Sequence, residues 1–103
     1  MSDDLKPFLP LAPAALHILL CLSAEGRHGH GIMQDVVRQS NGQYKLGPGT
    51  LYDNLQKLMD HGLVEEHASK MASDDARRRY YAITELGRSV LQADVERLKN
   101  VVR

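Results

Sequence analysis

The groups in this chain best suited to hold an anion fall in two places. The first is Gly47-Pro48-Gly49-Thr50-Leu51-Tyr52, the opening of an expected helix. Backbone N–H groups in a first helical turn have no helical acceptor, and the helix dipole draws negative charge toward them. Gly49, Thr50 and Tyr52 supply such groups together with two hydroxyls, a set suited to a phosphate oxygen. The alternative has Thr50 capping the helix and Tyr52 packing under the strands that follow. Asn54, Gln56 and Lys57 lie further along, placed either to reach base edges and phosphates or to form a solvated face. The second place is Arg77-Arg78-Arg79, at the entry to an expected strand. Side chains alternate along a strand, so the reading is Arg77 with Arg79, or Arg78 alone, against a phosphate or a minor groove. The alternative is pairing with Asp74, Asp75 or Glu66, a surface arrangement contributing roughly 0–1 kcal/mol.

Two smaller sets carry other chemistry. His28 and His30 stand near the start of the second helix, where a contact to phosphate would be pH-sensitive, or where both are plain turn residues. His17 and Cys21 are four apart on one helix and so share a face. That spacing suits two ligands of a metal, or a thiol with a base, and a cysteine in a leucine-rich helix is also ordinary core filling. His61 is read as a helix C-terminal residue favoured by the dipole.

The elements that must position these groups follow from periodicity. Residues 1–10 hold two prolines and two acids and read as an extended arm anchored by Phe8 or Leu9. A first helix follows Pro13, which costs nothing in a first turn. Leu11, Ala15, Ile18 and Leu22 mark one stripe, and Leu16, Leu19 and Leu20 another, so this helix is buried on nearly all sides, inside its own domain and near a partner subunit. The segment from Glu25 to Gly31 reads as a turn. A second helix carries Ile32, Met33, Val36 and Val37, and Asn41-Gly42 stops it. The third begins at Gly47-Pro48, buries Leu51, Leu55, Leu58 and Met59, and ends at Gly62. Strands are expected from Leu63 to Ser69 and from Arg78 to Thr84, with a long tip between them. Thr84 caps a last helix, with Glu85 in its first turn. Leu91, Val95, Leu98 and Val102 then step along one face that a three-helix core leaves uncovered, and this stripe is assigned to a dimer contact.

At 103 residues the chain supports one domain, and 43% apolar content suffices for a single core. The formal net charge is zero, which argues against a polyanionic partner until its distribution is considered. Residues 27–57 and 70–84 each carry +2, whereas residues 1–26 carry −2 and 58–69 carry −3. Positive charge therefore sits on the two anion-suited places. The single cysteine excludes an internal disulfide and suits a reducing cytoplasm. The start lacks a basic region followed by an apolar core, and the apolar run from Ala14 to Leu22 is far short of a membrane span. A cytoplasmic protein with no membrane partner is expected. No Gly-rich phosphate loop, nucleophile–base–acid spacing or full metal set is present, so neither an enzyme nor a cofactor is expected.

Helix, strand, basic hairpin and strand is the layout of a winged helix-turn-helix. The blocks Gly49-Thr50-Leu51-Tyr52, Gly62-Leu63 and Arg78-Arg79-Tyr80-Tyr81-Ala82-Ile83-Thr84-Glu85-Leu86-Gly87 resemble those of the PadR family of bacterial transcriptional regulators. His28-Gly29-His30-Gly31-Ile32 resembles that family's His-Gly-Tyr-x-Ile. The resemblance runs from about Leu11 to Leu86, with two departures: His30 replaces a usual Tyr, and Asp53 a common Pro. The C-terminal part has room for one helix, as in the short subfamily. The fold expected is mainly α with a small β-hairpin: an arm over 1–10, a winged helix-turn-helix over 11–84 and a dimerisation helix over 85–103. The resemblance implies a homodimer that represses promoters by binding double-stranded operator DNA and leaves them on a signal. The effector class is not carried over, and a small-molecule effector is left open. A protein-interaction adaptor on the same scaffold is the alternative, supported by the neutral charge and opposed by the three arginines.

Overall fold

The computed structural model describes residues 5–68 and 79–102. After a single 3-10 turn at Lys6–Phe8 come α1 (Pro13–Ala24), β1 (Arg27–His28), α2 (Gly29–Gln39), α3 (Pro48–Asp60), β2 (Val64–Ala68), β3 (Arg79–Ile83) and α4 (Glu85–Val102). The three strands form an antiparallel sheet in the order β1-β3-β2, with Arg27 opposite Tyr81, and Val64 opposite Ile83.

The helix α1 is the hub. Ala14, Ala15, Ile18, Leu19, Cys21 and Leu22 are all buried, and α1 packs against α2, α3, α4 and β3. Its all-round apolar surface is thus covered largely from within the chain. At roughly 1.5–3 kcal/mol for each fully buried Leu or Ile, this helix dominates the core.

Arg27 to Gly31 departs from the expected turn. Arg27 and His28 pair with β3 as a third strand, and α2 starts at Gly29, three residues before the first apolar position, Ile32. Two residues are too few to show a strand period, which is why no sequence pattern announced them. The end of α2 follows expectation: Asn41 (φ 54°) and Gly42 (φ 79°) are left-handed. The Gly42 N–H donates to the Val37 carbonyl at 2.8 Å. Ser40 Oγ then accepts from the Tyr44 N–H at 2.9 Å, fixing the turn into α3.

The exit from α3 is a Schellman motif. Gly62 (φ 76°) donates to the Met59 carbonyl at 3.0 Å and Leu63 to the Leu58 carbonyl at 2.9 Å. The chain then passes directly into β2. Thr84, as expected, caps α4: its Oγ1 accepts from the Gly87 N–H at 2.9 Å. The same hydroxyl donates to the Gly62 carbonyl at 2.7 Å, and the Thr84 N–H donates to the Leu63 carbonyl at 3.0 Å. A Cβ on Gly87 would lie 2.2 Å from the Leu63 carbonyl oxygen, so only glycine permits this approach of α4 to the end of α3.

Two buried carboxylates tie elements together. Asp94 of α4 is fully buried, accepting from Arg97 Nε at 2.8 Å and from the Leu11 N–H at 3.4 Å, just ahead of α1. Asp35 of α2 is also buried and meets Arg38, Gln39 Nε2 at 3.1 Å and Arg27 Nε at 3.8 Å. Burial alone would raise the Asp35 pKa, but the Cys21 thiol, Arg27 and Arg38 outweigh it and hold it below the ordinary value of 3.8.

A depressed folded pKa means that Asp35 adds stability above its unfolded pKa and loses it as pH falls through the folded one. Acid titration followed by circular dichroism should therefore show destabilisation below about pH 4, and Asp35→Asn should flatten that limb and lower stability at neutral pH by about 2 kcal/mol. An unchanged acid limb would remove Asp35 from the account. Gly87→Ala should cost about 1–3 kcal/mol by denaturant unfolding, because backbone must move. Gly49→Ala, whose Cβ meets nothing within 4 Å, should be neutral or slightly stabilising.

Candidate nucleic-acid interface

The first turn of α3 is held out from the body of the protein. Gly47 is extended (φ −80°, ψ 166°), Pro48 opens the helix, and no side chain caps it. The first helical N–H to find a backbone acceptor is that of Leu51, donating to Gly47 at 2.9 Å. The N–H groups of Gly49 and Thr50 therefore point outward from exposed residues. Behind them Leu51, Leu55 and Leu58 are buried, which fixes which face is free.

Along that free face the polar side chains are differently committed. Asn54, half-buried, donates from Nδ2 to the Thr50 carbonyl at 2.8 Å. Lys57 Nζ lies 3.3 Å from Asp53, both side chains about two-thirds exposed, a pair too solvated to hold Lys57 firmly. Gln56 donates to Asp60 at 3.0 Å. Tyr52 is 47% exposed, yet its hydroxyl rests on the α2 backbone: a Cβ on Gly29 would lie 2.2 Å from it. Tyr52 thus braces α3 against the first turn of α2 while leaving ring surface free.

Of the three arginines, Arg77 and Arg78 lie outside the described residues. Arg79 begins β3, half-exposed, with Nε 3.6 Å from Glu66 on β2. Glu66 therefore takes the pairing role that the sequence left open for it. It also accepts from the Tyr81 phenol, which is buried; burial first, then the Glu66 charge, raises the Tyr81 pKa and keeps the phenol a donor.

His28, Tyr80 and His67 stand in register across the three strands. His67 stacks on Tyr80 at 5.1 Å and His28 is tilted at 6.2 Å from it. His28 is half-buried and precedes α2; His30, in the first turn of α2, is exposed. Glu66, His67, Tyr80 and Tyr81 were not singled out from the sequence as a group. Their roles appear only once strand register is known, although adjacent Tyr80 and Tyr81 must point to opposite faces.

The four-residue spacing of His17 and Cys21 does not make a pair. His17 stacks on Tyr44 at 4.4 Å, holding the α2–α3 link. Cys21 is fully buried and hydrogen-bonded to Asp35, and its pKa is pushed up to about 12, first by burial and then by that carboxylate. It is a core thiol rather than a nucleophile. His61 follows α3 and meets Phe8 edge-on at 5.9 Å.

On α4 the expected stripe is divided. Leu91 is 7% exposed and belongs to the chain's own core, with Val95 packed against that core, because α4 lies on α1. The expectation that nothing within the chain covers this stripe is corrected at Leu91. Leu98 is half-buried, and Val101 and Val102 are exposed.

Comparison with known proteins bears out the fold and the family resemblance. The chain is 33% identical over 92 residues to the transcriptional regulator Rv3488 of Mycobacterium tuberculosis, covering 89% of this chain and 81% of that protein. A PadR family transcription regulator from Clostridium difficile superposes with a TM-score of 0.75 at 23% identity, over 87% of this chain and 91% of the other. Bacillus subtilis PadR, solved in complex with operator DNA, superposes with a TM-score of 0.71 at 19% identity, over 82% of this chain and 47% of the other. Residues 18–93 match the Transcriptional regulator PadR-like family, and this chain belongs to that family of winged-helix regulators.

Proposed function

We propose that the chain is a sequence-specific DNA-binding regulator acting in the cytoplasm as a homodimeric repressor, released from its operator by an unidentified signal. The observation that carries the reading is the uncapped, exposed start of α3, where the Gly49 and Thr50 N–H groups face outward beside Thr50, Asn54 and Lys57. In this reading α3 enters a major groove, Gly49 and Thr50 take a phosphate, and Lys57 and Asn54 lie toward the bases or backbone. Tyr52 contributes its exposed ring edge. Arg79 with Arg77, or Arg78 alone, contacts the flanking backbone, and His28 and His30 face the phosphates beside α2. A fold neighbour, Bacillus subtilis PadR, is solved in complex with operator DNA, which supports DNA as the partner of this fold.

The exposed end of α4, with Leu98, Val101 and Val102, is the proposed contact with a second copy, and Leu91 and Val95 stiffen its base. Two copies place two recognition helices about one helical turn of DNA apart, roughly 34–36 Å. The zero net charge favours a second reading, an adaptor that binds a protein. No helix among the described residues is long and apolar enough to cross a membrane. The family is one of transcriptional regulators, and no enzymatic activity or cofactor is proposed.

Arg78→Ala with Arg79→Ala should weaken DNA binding across sequences and reduce the log–log salt slope by about 0.9 for each phosphate no longer neutralised. An unchanged slope would take the wing off the interface. Leu98→Asp with Val102→Asp should yield monomers by light scattering and abolish operator binding while the chain stays folded. A folded mutant that remains dimeric would place the interface elsewhere.

A further inference from the structure

A carboxylate stands at the most outward point of α3. At about 100° per residue, Leu51, Leu55 and Leu58 share the buried side of this helix, and Asp53 lies almost diametrically opposite them. Helical side chains lean toward the N-terminus, so Asp53 projects over Gly49, one turn back. Gly49 has no side chain to stand in front of it, and a Cβ there would meet nothing within 4 Å. A short acidic side chain at this point can therefore reach a surface that α3 lies against. Its partner among the described residues is Lys57, one turn further on, with Nζ 3.3 Å from the carboxylate. Backbone phosphate can satisfy Lys57 alone, and then leaves Asp53 beside a like charge.

A C·G base pair can satisfy both. Its major-groove edge presents the cytosine N4 amino donor, then the guanine O6 and N7 acceptors. N4 and O6 are the two ends of one base-pairing hydrogen bond, roughly 2.9 Å apart. The carboxylate and ammonium match that spacing, acceptor facing donor and donor facing acceptor. An A·T pair repeats the central donor and acceptor but fails on both flanks. Adenine N7 would meet the carboxylate with a lone pair, and the thymine methyl would stand beside the ammonium. The reversed pairs, G·C and T·A, set acceptor against carboxylate. We infer that Asp53 and Lys57 together read a C·G pair, Asp53 accepting from cytosine N4 and Lys57 donating to guanine O6 and N7. The inference rests on the DNA-binding reading above and adds to it a specificity-determining residue, Asp53. It also gives an electroneutral helix face a use at DNA: selection of one base pair and rejection of unmatched backbone.

The full chain, Asp53→Ala and Asp53→Asn are each used to select duplexes from a random library. Anisotropy then measures affinity on the selected sequences with one position changed at a time. Replacing C·G at one position of each half-site should cost the unmutated chain about tenfold or more. Asp53→Ala should lose that preference and bind unrelated duplex at least as tightly as the parent. Asp53→Asn should move the preference to A·T, because an amide can pair with adenine N6 and N7. Asp60→Ala, an equal loss of charge two turns further along α3, should leave base preference as it was. The most direct arm needs no variant. N4-methylcytosine keeps its base pair but carries a methyl in place of the outward N–H, and should cost the unmutated chain as much as a mismatch. An unchanged preference in Asp53→Ala, or indifference to N4-methylcytosine, would overturn this inference while the DNA-binding reading stands. A chain that enriches no sequence at all would overturn both.

Discussion

The arrangement of this protein depends on one close joint between backbone segments. The helix α3 ends at Asp60 and turns at Gly62, β2 begins at Val64, β3 ends at Ile83 and α4 starts at Glu85. Thr84 binds these together, its hydroxyl joined to both the Gly62 carbonyl and the Gly87 N–H. Gly87 lets α4 sit against the Leu63 carbonyl at a distance no side chain allows. The angles of α3, the β2–β3 pair and α4 are therefore set at one place. Geometry of this kind matters to a reader of DNA, because two helices must meet two half-sites at a fixed spacing.

A second constraint fixes the helix-turn-helix to the sheet. Asp35 draws Arg27 of β1, Arg38 of its own helix and the Cys21 thiol of α1 to one buried carboxylate. Tyr52, resting on Gly29, closes the gap between α2 and α3 from the outside. Buried charge of this sort adds less to stability than an apolar core, but a wrong packing that leaves the carboxylate unpaired is strongly disfavoured. The side chains proposed to face DNA are by contrast loosely tied. The Lys57–Asp53 and Arg79–Glu66 pairs are surface contacts that a phosphate can replace at little cost.

Much of this was legible in the sequence. Gly47-Pro48 and Gly62 bracket α3 with residues whose conformational preferences name a start and a stop, and the leucines between them fix its buried face. Thr84 announced its cap by preceding a glutamate and an apolar repeat. What the sequence hid was non-local. The two-residue β1 has no period, so its pairing with Tyr80 and Tyr81 is set by the tertiary fold alone. Leu91 matched a dimer stripe by spacing, yet α1 covers it, because a helical face that packs within a chain and one that packs between chains share one periodicity. His17 and Cys21 share a helix face, but neighbours on other elements, Tyr44 and Asp35, draw them to separate partners.

Joint reading of DNA by the exposed start of α3 and the wing is what makes this fold a regulator in the function proposed. It is tested most directly by fluorescence anisotropy of the purified chain on labelled DNA from upstream of its own gene, at near-physiological salt with excess unrelated duplex. Saturable binding that survives the competitor and disappears when the labelled sequence is scrambled is expected. Binding no stronger than to the competitor, across upstream DNA and a selected library of random duplexes alike, would contradict it and favour a protein partner for this face.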